Sequence, residues 1–310
     1  MRSFTLSYLM ATRNKLLFLR HTLPRLLANV QEDEEIVIID GASTDGTTEY
    51  LRQLHTLGKI DQFVSEPDHG EAHAFNKGLL MARGELVKVI VDDDVLHYPT
   101  IQRCKEYMLD NPAADILGSD GGEFRWGLTE PAWWFCHVRG FEKWAQEGRT
   151  FNFSGPGIML RRGSLPLLGL FHTGVLCLDG EYSRRITTLP VRIAWCSRMV
   201  YMHFLNPASN SCVYGERIDA EAQRVKAFYN CEDPPRPVAL RLRSAVPEPV
   251  RRALRPIKRM LLGPPSNLNL PPAPISEEDI GKAVEQMSAW LDQRNETLAC
   301  CFRVAGKGCA

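Results

Sequence analysis

An excess of charge of either sign is missing from this chain. Its 37 lysines and arginines are matched by 37 aspartates and glutamates over 310 residues. A balanced chain has no global electrostatic reason to bind nucleic acid, so that partner class is set aside. No two cysteines stand in a CxxC spacing. The nine cysteines, at 104, 136, 177, 196, 212, 231, 300, 301 and 309, are odd in number and scattered. They offer neither a zinc pattern nor a disulfide framework, and they fit a reducing compartment. No apolar run approaches the ~18–20 residues of a membrane span. The N-terminal MRSFTLSYLMATRNK lacks the plan and the cleavage site of a signal peptide. The expected location is the cytoplasm, with peripheral attachment to the cytoplasmic face of a membrane as the alternative. Internal repeats are absent too.

What remains is an ordinary soluble composition, 44% apolar and 24% charged, long enough for one large domain and an appendage. Residues 4–10 read as a strand. Leu16, Leu19, Leu23, Leu26, Leu27 and Val30 follow at helical spacing, with Pro24 expected to split that helix in two. EIVIID (35–40) is a short apolar run of the kind buried on both faces of a sheet. A helix with Tyr50, Leu51 and Leu54 comes next, and Asp45 before it is of a capping type. A strand at 59–66, a helix over 71–84 ended by Gly84, and the strand ELVKVIVDDD complete the alternation. Strand–helix alternation predicts an α/β fold with a mostly parallel central sheet and flanking helices. The stretch 120–160 is rich in Gly and aromatic residues, and reads equally as a binding wall or as core.

The composition changes near residue 231. Between Arg236 and Gly263 eight basic residues face one acid, Glu248. The segment reads either as a linker or as a peripheral contact with an anionic membrane. ISEEDIGKAVEQMSAWLDQ (275–293) then reads as an amphipathic helix capped by Ser276. The expected organisation is a catalytic-type domain over 1–230, a basic Pro-rich linker over 231–274, and a C-terminal helix and tail over 275–310.

Two predicted strands end in acid: EIVIID in Asp40, and VKVIV in Asp92, Asp93 and Asp94. In parallel α/β sheets ligands gather beyond the carboxyl ends of the strands. If the strand continues, Asp92 and Asp94 face one side and Asp93 the other. Convergent carboxylates suit a hard divalent ion, Mg²⁺ or Mn²⁺, shared with substrate phosphates. An isolated DxD would read as a solvated acidic loop. This one follows IIDGASTDGT and SEPDHGEAHAFNKGLLMARGE in order and at short spacing.

That ordered set resembles the family-2 glycosyltransferases, which have the GT-A fold. The matching pieces are the turn Ala11 to Asn14, the run Asp40 to Thr47, Ser65 to Gly70, Asn76 to Gly78, and Ala82 to Glu85. The departures are Ala11 where proline is usual, Arg13 where an aromatic is usual, and the third aspartate in the metal motif. The resemblance implies transfer of a sugar from a nucleoside-diphosphate sugar, with uracil favoured as the base, to a glycan or lipid-linked hydroxyl. It makes Asp40 the reader of the base, with Thr12, Asn14 and Asp68 in the same pocket. Lys77 reaches a phosphate or is a helix-surface lysine. Asp94 is the expected direct ligand of Mn²⁺ or Mg²⁺, with Asp92 on the ribose or the metal and Asp93 beside them. His203 is a further metal or diphosphate contact, or a structural histidine. GVLCLDGEYSRRI matches the family's acid ahead of Arg185, which implies Asp179 as general base, helix capping being its other reading. FNFSGPG resembles the acceptor-side segment, with Gly155 and Gly157 allowing close approach.

Three rivals share parts of this pattern. A haloacid-dehalogenase-type phosphatase puts its DxD on the first strand and needs a downstream acidic motif that this chain lacks. A nucleotide-sugar pyrophosphorylase needs a Gly-rich loop after strand one, also lacking. A non-catalytic nucleotide-sugar-binding protein would lose the base.

Overall fold

Seven consecutive buried residues, Leu6–Thr12, form β1 at the centre of one sheet. The computed structural model describes residues 3–126, 130–131, 133–206, 209–229 and 275–306. On one side β1 pairs in parallel with β2 (Glu34–Asp40), which pairs with β3 (Gln62–Ser65). On the other side it pairs in parallel with β4 (Leu86–Val91). Strands covered on both faces need apolar side chains on both, hence the unbroken apolar runs. Helices α1 (Leu16–Asn29), α2 (Thr47–Thr56) and α3 (Glu71–Met81) connect these strands. Gly78 is required where α3 meets β1, because a Cβ there would stand 2.0 Å from Leu9 Cδ1.

Pro24 does not split α1, which runs through it. Pro24 and Arg20, four residues earlier, are both exposed. The carbonyl that loses its helical donor therefore faces water, while Leu19, Leu23 and Leu26 stay packed on the sheet. Gly84 does not end α3, which stops at Met81. Gly84 is needed instead for close passage over β1, where a Cβ would lie 2.6 Å from the Ser7 nitrogen.

After the aspartates come the short β5 (Val95–Leu96) and α4 (Tyr98–Asp110). Beyond β4 the sheet is mixed, in the order β10 (Phe302–Gly306), β9 (Arg192–Phe204), β6 (Ile116–Phe124), β8 (Met159–Arg161), β4, β1, β2, β3. Strand β9 is long, and β7 (Trp133–Phe135) lies on the flank of β6. β8 runs antiparallel to β4 and β6, whereas β6 and β9 are parallel. Helices α5 (Val138–Glu147), α6 (Leu165–Leu168), α7 (Leu178–Ile186), α8 (Asn210–Val213) and α9 (Gly215–Phe228) lie in this half. Most of the aromatic stretch is core: Phe141, Trp144, Phe151 and Phe153 pack around Trp195.

The C-terminal helix α10 (Glu277–Glu296) begins with Ser276 and Asp279 capping each other's backbone. Its Ile280, Val284, Met287 and Leu291 are buried with Phe18, Phe124 and Phe204. β10 (Phe302–Gly306) then adds an antiparallel edge strand to β9. The C-terminal part of the chain thus shares the sheet and core of the rest. The basic segment 236–263, and the linker expected over 231–274, lie outside the described residues.

Candidate active site

The register of the sheet brings the acids together. Thr12 stands opposite Asp40, and Ala11 opposite Val91, the last residue before the aspartates. Asp40 and the three aspartates therefore open on the same carboxyl edge, with only β1 between them. Thr12 closes that gap: its Oγ1 donates to Asp92 Oδ2 at 2.7 Å.

The aspartates do not continue β4. Asp92 and Asp93 lie in a turn and Asp94 follows it, so the alternation of a strand does not govern where they point. The turn is held by Thr22 Oγ1, which donates to the Asp92 carbonyl at 2.8 Å. Among the described residues, a group able to hold a metal ion is Asp93, Asp94 and His203, whose ligand atoms all lie within 4.8 Å of one another. Asp92 stands outside it, on Thr12. His203 lies within β9 rather than after it, because VYMHF extends the strand predicted over 191–196.

Each oxygen in this group has a distinct situation. His203 Nδ1 is 2.9 Å from Asp94 Oδ1. Asp93 Oδ2 accepts from Asn206 Nδ2 at 3.0 Å and from Lys15 Nζ at 2.5 Å. Asp94 Oδ2 is buried with no hydrogen-bond partner among the described residues. A buried carboxylate oxygen without a donor is costly unless a cation meets it. The set therefore fits a divalent ion on chemical grounds: two carboxylates and one imidazole, with one oxygen left over. Burial raises the carboxyl pKa of Asp94 against the opposing pull of His203. Burial would lower the imidazole of His203, but Asp94 and Asp93 outweigh it and bring it to about 9. Burial would lower the Lys15 ammonium as well, and Asp92 and Asp93 instead hold it above its ordinary value.

Across this group stands Asp179. It is the second residue of α7, whose N-cap position is Cys177, so capping is not its task. Burial pushes its carboxyl up to about 6, against the lowering effect of the Gly155 amide, and Asp94 adds to the rise. Gly155 permits this approach: a Cβ there would lie 2.8 Å from Asp179 Oδ1. The loop carrying Gly155 is tied down from beneath by Lys88, whose Nζ donates to the carbonyls of Pro156 and Ile158. Glu181, two residues further along α7, is taken by Arg185 at 2.8 Å and the Tyr229 hydroxyl at 3.0 Å. Of the two acids, Glu181 is therefore the one held in an ion pair.

The acids on the β1–β3 side are more fully engaged. Asp40 is buried, and its oxygens accept from the Ser43 amide and hydroxyl, Thr48 Oγ1 and Ser65 Oγ. Asn14 Oδ1 accepts from the Thr44 amide at 2.8 Å, and its own amide donates to Ser43 Oγ. Asp45 accepts from the Leu16 and Thr47 amides, the first residues of α1 and α2, although the N-cap positions are Lys15 and Gly46. Asp68 lies against this turn, since a Cβ on Gly41 would stand 2.4 Å from its Oδ2. Lys77 pairs with Glu66 at 2.6 Å on the surface. Asn76 ties α3 to the backbone of Phe171 through both ends of its amide.

Residues 7–166 match the model of the family described as glycosyl transferase family 2. The chain belongs to that family. Among curated relatives, the putative teichuronic acid biosynthesis glycosyltransferase TuaG of Bacillus subtilis is 28% identical over 111 residues, 34% of this chain and 44% of TuaG. The chain spans less than half the length of the curated relatives it matches, 33–34% in two other cases. Among solved structures, the mannosyltransferase PcManGT of Pyrobaculum calidifontis, in complex with GDP-Man and Mn²⁺, superposes with a TM-score of 0.57. It is 17% identical, over 95% of this chain and 88% of that one. TarS 1-349 of S. aureus, in complex with UDP-GlcNAc, gives a TM-score of 0.53 at 15% identity, over 73% of this chain and 65% of that one. At these identities the likeness establishes the fold, and it is the GT-A fold that the motifs imply.

Two residues of this site escaped the motifs. Asn206 follows the end of β9 and gave no sequence signal. Lys15 did give one: a lysine at the start of a helix faces the positive end of the dipole, so its charge needs a partner elsewhere.

Proposed function

We propose that this glycosyltransferase transfers a sugar from a nucleoside-diphosphate sugar to a hydroxyl of a glycan or lipid-linked acceptor, with inversion and with Asp179 as the general base. The observation that carries this reading is the unpartnered buried oxygen of Asp94, in a group suited to a cation and close enough to Asp179 to raise its carboxyl. A sugar hydroxyl is a weak nucleophile at neutral pH and needs a base aligned opposite the leaving group. Asp179, poised near 6, accepts the acceptor's proton as the new glycosidic bond forms and the nucleoside diphosphate departs. Asp93, Asp94 and His203 would hold Mn²⁺ or Mg²⁺, and such an ion supplies charge neutralisation for the leaving diphosphate when bound.

The nucleoside end belongs at the turn 41–45, between Thr12, Asn14 and Asp68. Asp40 acts there by fixing the turn, since its oxygens are already engaged. The ligands of the two structural neighbours, GDP-Man with Mn²⁺ and UDP-GlcNAc, support a nucleotide-sugar donor, and UDP-sugars are the first to test. No helix among the described residues is long and apolar enough to cross a membrane. The basic segment 236–263 supports peripheral contact with an anionic surface, which liposome flotation of the full chain against one ending at 231 would test. The main experiment measures release of nucleoside diphosphate from UDP- and GDP-sugars with Mn²⁺. Asp179→Asn should abolish release while still binding nucleotide, and full release by that variant would refute the assignment of the base.

A further inference from the structure

Lys15 is a residue of the site that neither the motifs nor the reaction explains. It occupies the N-cap position of α1, where its amide donates to Thr47 Oγ1 at 3.1 Å. Its side chain turns away from the helix onto the aspartate turn. Nζ lies 2.5 Å from Asp93 Oδ2 and 3.7 Å from Asp92 Oδ1. Only 13% of the side chain is exposed, and Nζ is 5.5 Å from the centroid of the Phe18 ring. Water and salt therefore screen this charge weakly. Asp93 is at once the partner of Lys15 and a member of the group suited to a divalent ion. Any ion held by Asp93 and Asp94 thus sits near a second, covalently tethered cation.

We infer that Lys15 is a built-in counter-ion that weakens the site for a bare divalent ion and favours an ion arriving with a nucleoside diphosphate. The inference rests on the reading of Asp93, Asp94 and His203 as the ion site. Two cations sharing one carboxylate repel each other. Without the nucleotide, that repulsion opposes the ion. The oxygens of a diphosphate attract both cations and reverse the balance, so ion and nucleotide strengthen one another's binding, reciprocally. The three adjacent aspartates can then persist in the ion-free protein, because Lys15 satisfies two of them.

The test titrates the full chain with Mn²⁺, followed by electron paramagnetic resonance of the free ion, with and without UDP as probe. In the wild type UDP should tighten Mn²⁺ binding. In Lys15→Met and Lys15→Gln the bare Mn²⁺ affinity should rise by about tenfold, the direction set by removing one nearby positive charge, and the gain from UDP should shrink. Lys15→Arg should behave as wild type. Unchanged bare affinity in both neutral variants overturns the role of Lys15 and leaves the ion site standing. No Mn²⁺ binding by the wild type, with or without UDP, refutes the ion site itself. Should neither neutral variant fold, acetylation of Lys15 in the wild type, read by mass spectrometry, decides. Mn²⁺ alone should loosen Lys15 from Asp93 and increase labelling, and equal labelling with and without Mn²⁺ overturns the inference.

Discussion

The two sides of the site treat their acids differently. On the β1–β3 side Asp40 accepts from three neighbouring residues, Ser43, Thr48 and Ser65. Asp45 on the same side accepts from the first amides of two helices and is held below the usual carboxylate range by those bonds and the Thr47 hydroxyl, against the raising effect of burial. On the β9 and α7 side Asp94 keeps a buried oxygen with no donor among the described residues, and burial lifts Asp179 to about 6. An acid satisfied by its own chain holds a turn in place. An acid left wanting costs stability, and that cost persists where a substrate or ion supplies the missing partner.

The contrast can be broken by exchanging chemistry on each side. Asp179→Asn should lower turnover by about 10³-fold with nucleotide binding unchanged, measured by diphosphate release and by calorimetry. Asp40→Ala strands the Thr48 and Ser65 hydroxyls beside a cavity. It should cost about 3 kcal/mol of stability, read by urea denaturation, with any loss of activity following the loss of folded protein. If Asp40→Ala instead stays stable and loses only nucleotide affinity, the acid is a ligand group and the contrast fails.

Two smaller effects sharpen the comparison through pH. Asp179 serves as a base only when ionised, so kcat/KM should fall by about tenfold per pH unit below about 6. The same raised pKa has a stability consequence of opposite sense. A carboxyl whose folded pKa lies above its unfolded value contributes stability at low pH, and that contribution is lost as pH rises through about 6. At pH 8 Asp179→Asn should therefore melt about 2–4 °C above the wild type, and the difference should vanish near pH 4. A variant that is inactive and more stable is the signature of an acid kept for chemistry.

How much of this was legible in the sequence differs along the chain in the same way. The β1–β4 half could be read because its strands are unbroken apolar runs and its turns carry an ordered set of motifs. β6 could not, since ILGSDGGEF looks like a loop. Its glycines are there because Trp195 and Tyr201 lean over them, a Cβ on Gly118 or Gly121 falling 2.3 Å from those rings. That fact belongs to β9, some 80 residues later. The aspartates depart from strand alternation for a local reason: a turn follows β4, so Asp93 rather than Asp92 lies with Asp94 and His203. Asp179 could be singled out from its neighbourhood of residues, but only the structure separates it from Glu181, which Arg185 and Tyr229 occupy.

The most direct test of the cation-and-diphosphate site is a thermal-shift comparison of the wild type and Asp94→Ala with nucleoside diphosphates, with and without Mn²⁺. A ligand that binds only the folded state raises the melting temperature. The account predicts a rise for the wild type that needs nucleotide and Mn²⁺ together, and loss of the Mn²⁺-dependent part in Asp94→Ala. No rise with any nucleoside diphosphate, or the same Mn²⁺-dependent rise in Asp94→Ala, would contradict it.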